Sequence, residues 1–98
     1  MRVIRWVVRY VVHTFRLYRW TWMLLRDAYP IVKEVMLYGT RKYGWGDAWL
    51  YEPVESHLRH ASRHIQEFLQ DRDNVRHLHH AVVRVLMAVV VFVGRHEQ

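Results

Sequence analysis

The sequence contains no cysteine, which excludes disulfides and thiolate metal sites and fits a reducing compartment such as the cytoplasm. Acids are scarce, nine against 15 Lys plus Arg, for a formal net charge of +6 with the eight histidines neutral. No Gly-x-Ser-x-Gly elbow, no glycine loop followed by Lys-Ser/Thr and no zinc-finger spacing occurs, so these nucleophile, phosphate-cradle and finger chemistries are excluded. Internal repeats, linkers and low-complexity stretches are absent. A long uncharged hydrophobic run is missing too. The N-terminal MRVIRWVVRYVVHTFRLYRW carries an Arg or His every three or four residues and lacks the clean core and cleavage site of a signal peptide. The longest clean run, VLMAVVVFVG at 85–94, is too short to cross a bilayer. No transmembrane span is expected, and peripheral association is the only membrane relation left open.

What is present is apolar, basic and rich in imidazole. A chain of 98 residues makes one domain, 1–98, yet 52% of it is apolar, with five Trp and six Tyr. So small a core cannot hide that much, which predicts helix–helix contact with a second copy, a partner or a membrane surface. The cationic excess is mostly arginine, which favours anionic partners: nucleotide, nucleic acid or acidic lipid.

Periodicity predicts an all-α fold of about four helices, 2–26, 30–43, 53–70 and 75–93, in an antiparallel bundle completed by oligomerisation. In 2–26, Arg2, Arg5, Arg9, His13, Arg16 and Arg19 share one stripe, and Val3, Val7, Val11, Thr14, Tyr18 and Leu25 lie opposite. Pro30 suits the first turn of a second helix, and GWGD at 44–47 breaks that helix after Tyr43. The third begins near Pro53 with Val54, Leu58, Ala61, Ile65, Phe68 and Leu69 as its apolar stripe. The fourth, apolar nearly all round, is expected to be the buried central helix, stopping at Gly94.

The four-residue turn DRDN (71–74) makes the last two helices antiparallel neighbours. Folding that hairpin about residue 72 places Glu67 near His77, His64 near His80 and His60 near Arg84. A His-x-x-Glu pair, His64 and Glu67, then faces a His-x-x-His pair, His77 and His80. Pairs three apart on facing helices are one way bundles hold divalent metal, here Mg²⁺, Mn²⁺ or Zn²⁺, with Asp71 or Asp73 as further oxygen donors. The same histidines also suit a hydrogen-bonded seam, or phosphate binding with Arg59, Arg63 or Arg84. Glu52 and Glu55 fall opposite apolar residues near 89–92 and read as acids at a helix start. The basic first helix has two readings as well: an outer face in water, or an anionic-surface contact through Arg2, Arg5, Arg9, Arg16 and Arg19, with lipid or nucleic acid as partner.

YGTRKYG at 38–44, Trp49, an Arg-His pair on the next helix and HLHHA at 77–81 occur in an order that resembles a family of small phage and bacterial proteins. That family is named for the N-terminal domain of dATP/dGTP diphosphohydrolase. The resemblance covers about residues 28–93 and leaves 1–26 as an appended basic helix. It implies a helical, hydrolase-like fold and a tie to deoxynucleotide binding or hydrolysis, in the host cytoplasm if the chain is phage-encoded. Carried over, the family positions are Lys42, Tyr43, Trp49, Arg59-His60 or Arg63-His64, His77 and His80. Arg41, Lys42 and Arg63 would neutralise phosphates, and Tyr43 or Trp49 would stack on the base. Three departures stand out: Arg41 in the lysine pair, DRDN in place of an acidic Gly-Glu-Asp stretch, and His79 where a small residue is usual. They leave two alternatives to an active enzyme. One is a degenerate member that binds nucleotide. The other is a non-enzymatic effector that docks a host protein, nucleic acid or anionic membrane through its first helix.

Overall fold

A computed structural model describes residues 2–97, with side chains to Gly94. These residues are almost wholly helical: α1 Arg2–Tyr43, a single 3-10 turn Ala48–Tyr51, α2 Val54–Gln70 and α3 Val75–Glu97. There are three α-helices rather than four, because the segments expected at 2–26 and 30–43 are one helix with Pro30 inside it. A proline there donates no bond to the carbonyl four residues back and crowds it. The helix nevertheless continues through Pro30 to Tyr43. Gly94 likewise lies inside α3, which continues to Glu97.

The chain divides into two units, Met1–Ile31 and Val32–Gln98. Among the described residues of the first, nearly every side chain is exposed, with Thr14, Ala28 and Ile31 partly covered. The second holds the core. Val35 of α1 meets Val83 and Met87 of α3, and Val32, Met36, Trp45 and Trp49 close around them. Ala61 of α2 and Ala81 and Ala88 of α3 are buried, and their small side chains let the helix axes approach closely. The last two helices form an antiparallel hairpin in which Glu67 reaches His77 as expected, but the residue that reaches Arg84 is His57, one turn before the expected His60.

Two expected faces are rotated. On α2 the covered stripe contains His57 and Ala61, while Leu58, Ile65 and Leu69 are exposed. On α3 the buried residues are Ala81, Val83, Met87, Ala88 and Val91, but Val82, Leu86, Val89 and Val93 remain open. The unit has too few elements to surround α3, so it is covered on one side. Val75–Gly94 is long and apolar enough to cross a membrane by length and composition. The core helix of a soluble protein passes the same test, and Arg76, Arg84 and three histidines occupy its first half.

The join between α1 and α2 explains two glycines. Gly44 takes a left-handed φ of 66° and its amide donates to the Thr40 carbonyl, ending α1. The chain then folds back so that Trp45 lies on Gly39, where a β-carbon would come within 2.0 Å of the indole.

Candidate metal centre

One wall of the second unit carries an open basin of about 650 Å³ lined by residues of α1, α2 and α3. His64, Glu67 and His77 meet on its floor, their donor atoms all within 4.8 Å of one another. His64 and Glu67 share a face of α2 by their three-residue spacing, and the short 71–74 turn brings the first turn of α3 opposite. The contacts are His64 Nδ1 to His77 Nδ1, 3.2 Å; His77 Nδ1 to Glu67 Oε2, 2.9 Å; and His64 Nδ1 to Glu67 Oε2, 3.6 Å. Three donors at zinc-like bond lengths, tetrahedrally arranged about one ion, stand about 3.3 Å apart. The observed edges bracket that value.

The surroundings of His64 and His80 favour their neutral, ligand form. Burial lowers the His64 pKa, outweighing the Glu67 carboxylate, which raises it; nearby His77, Arg84 and His60 lower it further. His80 is pushed down to about 4, first by burial and then by His64, Arg76, His77 and Arg84. Its ring lies 5.1 Å from that of His64 and edge-on to Tyr38 at 5.3 Å. Among the described residues the converging donors are thus His64, Glu67 and His77, with His80 beside them. Asp71 and Asp73 are exposed in the turn and outside this group. Two imidazole nitrogens and one carboxylate suit Zn²⁺ or a related transition ion better than Mg²⁺, which prefers oxygen.

The basin wall is basic and aromatic. Arg63, Arg76 and Arg84 line it with Tyr38, Tyr43 and Trp45. Tyr43 and Trp45 stack at 5.8 Å and 20°. Lys42 donates to the Tyr38 hydroxyl at 2.9 Å and sits over the Tyr38 and Tyr43 rings. Its bond to Tyr38, then that to Tyr43, raises its pKa. Arg41 lies instead on an adjacent surface pocket with Glu34, Leu37, Tyr38 and Lys42. Trp49 belongs to the core shell, where its carbonyl accepts a bond from His57 Nε2 at 2.9 Å. Trp45, not Trp49, is therefore the indole beside Tyr43. The glycine pattern around it held the signal: Gly39 leaves room for the indole, and Gly44 and Gly46 supply the left-handed backbone of the turn between.

Behind the wall is a network that spacing did not reveal. His57 is fully buried, Arg84 Nη1 bonds to Glu52 Oε2, and His57 Nδ1 lies 2.8 Å from that oxygen and 3.0 Å from Arg84 Nη1. Glu52 is thus the partner of Arg84 rather than a helix-start acid, while Glu55 does occupy the first turn of α2. The 3-10 turn shortens the path between the two elements and brings Glu52 to Arg84. The expected neighbour of Arg84, His60, instead bonds to the Ser56 carbonyl. Arg84 also lies over the Trp45 ring at 4.9 Å, so the guanidinium is held from two sides.

No protein-family profile, no curated protein and no solved structure matches this chain.

Proposed function

We propose that the Val32–Gln98 unit is a metal-assisted nucleotide-binding module. His64, Glu67 and His77 hold a divalent transition ion, and the basin above them takes the phosphates of a nucleotide. The observation that carries this reading is the spacing of the three donor atoms, 3.2, 2.9 and 3.6 Å, on the floor of a basin whose other walls are cationic and aromatic. When bound, such an ion polarises a phosphoryl oxygen or lowers the pKa of a water. The chain's own residues do the rest. Arg63, Arg76 and Arg84 neutralise phosphate charge, with Arg84 held in place by Glu52. The Tyr43–Trp45 stack offers a face to a base, and Lys42 adds charge at its edge. The ordered features from Tyr38 to Ala81 that resemble dATP/dGTP diphosphohydrolase N-terminal domains support a deoxynucleoside triphosphate as ligand, bound or hydrolysed. The apolar flank of Val82, Leu86, Val89 and Val93 supports a second copy completing the bundle.

Untagged protein, so that no tag mimics the cluster, should bind Zn²⁺ or Mn²⁺ stoichiometrically by calorimetry. His77→Ala should weaken that binding by more than about tenfold, since removing even a residue that merely supports a ligand costs that much. Phosphorus NMR with a panel of nucleoside triphosphates then separates binding from turnover. Line broadening alone denotes a binding protein, and release of phosphate or pyrophosphate denotes a hydrolase. Absence of metal binding in the folded protein would refute the assignment.

A further inference from the structure

The first 25 residues pose a different problem from the basin, because α1 exposes there a wide apolar surface that nothing in its own unit covers. Val3, Trp6, Phe15, Tyr18, Trp22 and Leu24 are each about two-thirds exposed or more (66–73% across the set that also includes Ile4). The segment contains no acid before Asp27, whose charge is already matched by Arg26 at 3.1 Å. At about 100° per residue, Arg2, Arg5, Arg9, His13 and Arg16 occupy an arc of roughly 80°, with Arg19 about 40° beyond. From Trp6 and Leu24 round to Val8 the helix then presents about 200° of apolar and aromatic side chains, interrupted only by Thr14 and Thr21.

The width of that arc selects its occupant. A coiled-coil seam uses a narrow apolar stripe. A second copy packed on Val3, Val7, Val11 and Tyr18 would leave Ile4 and Phe15 on one flank and Trp6 and Leu17 on the other in water. Nucleic acid would meet the arginines and leave the whole apolar arc uncovered. A bilayer surface meets both demands at once. A helix lying in its plane sinks the apolar half into the acyl boundary, while the arginines at its upper edge extend to the headgroups. Trp and Tyr are the residues that sit best at that depth. Arginines at every third or fourth position rule out spanning for the same segment. The charge is uniformly positive, so the favoured headgroups are anionic.

We infer that residues 2–25 of α1 form an in-plane anchor for an anionic lipid surface. This is independent of the metal site, and its failure would leave that assignment standing. The test is flotation of the full chain with vesicles of phosphatidylcholine, with and without phosphatidylglycerol. The expected result is co-flotation with the anionic vesicles, weakened by added salt and much weaker with phosphatidylcholine alone. Arg5→Gln, Arg9→Gln and Arg16→Gln combined should lower affinity by at least about tenfold, since each cation at such a surface is worth roughly a factor of five. Lysine at the same three positions should retain it. Phe15→Ser with Trp22→Ser should weaken binding to both vesicle types, and circular dichroism should show every variant as helical as the parent. A helical parent chain that floats with neither vesicle overturns the proposal. So does preferential capture by duplex DNA in competition with vesicles. A defined oligomer that shields Trp6 and Trp22 from iodide without lipid and ignores vesicles would assign the face to a second copy, and would equally overturn it.

Discussion

Gly39→Ala tests how the basin wall is built, because two opposing effects must be weighed. Alanine in a helix interior is favoured over glycine by about 1 kcal/mol, and Gly39 lies inside α1, so propensity alone predicts a more stable protein. The added methyl would, however, stand 2.0, 2.2 and 2.4 Å from Cε3, Cζ3 and Cδ2 of Trp45. The contact is with the body of a ring, so the indole must leave its seat. A buried Trp covers about 150–250 Å². Trp45 is half-buried, so displacing it exposes roughly 100 Å², or about 2.5 kcal/mol at 25 cal/mol per Å². Loss of the Arg84 guanidinium from its face, 4.9 Å away, adds about 0.5–1 kcal/mol. The net expectation is destabilisation by about 2 kcal/mol. Urea unfolding followed by far-ultraviolet circular dichroism measures it. In a Trp45→Ala background the clash is gone, and Gly39→Ala should then stabilise by up to about 1 kcal/mol. A single Gly39→Ala variant as stable as the parent or more so would refute the account of Trp45 as a seated wall.

The buried network and the histidine cluster yield two more tests. Glu52→Ala leaves the Arg84 guanidinium, whose side chain is only 12% exposed, without its carboxylate. Removing one partner of a fully buried pair costs 3–5 kcal/mol, and the 29% exposure of Glu52 reduces the expected loss to about 2–3 kcal/mol by urea unfolding. Adding Arg84→Met should recover part of it, and a neutral Glu52→Ala would count against the network. For the metal-free protein, His80 has a folded-state pKa of about 4 against 6.5 when unfolded, and His64 is shifted the same way. Below pH 6.5 the unfolded chain takes up protons that the folded chain refuses. Stability is therefore full above about pH 6.5 and falls as pH drops towards about 4. The denaturation midpoint at the two ends of that window reads it, and a midpoint that rises on acidification would contradict the assignment.

The pairing of Glu67 with His77 and of His64 with His80 is legible in the sequence. A four-residue turn between two long helices fixes their register to within a turn, and residues three apart on a helix share a face. The end of α1 at Tyr43 was legible too, since Gly44 can adopt the left-handed φ that closes a helix. A division of the first helix at Pro30 is what proline's local cost suggests, because that cost is visible in sequence, yet α1 continues through it. Trp45 takes the place beside Tyr43 that was expected of Trp49, for a related reason. Composition marks both as apolar and aromatic, and only the fold-back over Gly39 decides which indole faces the basin.

By itself the sequence determined the helical class, the basic arginine stripe of α1 and the axial register of the α2–α3 hairpin. All three follow from periodicity and short connections, which are local. Tertiary structure alone decided that Glu52 belongs to Arg84 and His57. It likewise decided that α3 is covered on one side only, and that two imidazole nitrogens and a carboxylate oxygen converge at distances one ion could bridge. Those outcomes depend on the rotation of each helix about its axis and on which side chains fill the space between them. That rotation buries small residues such as Ala61, Ala81 and Ala88, a balance among non-local contacts that no single segment encodes.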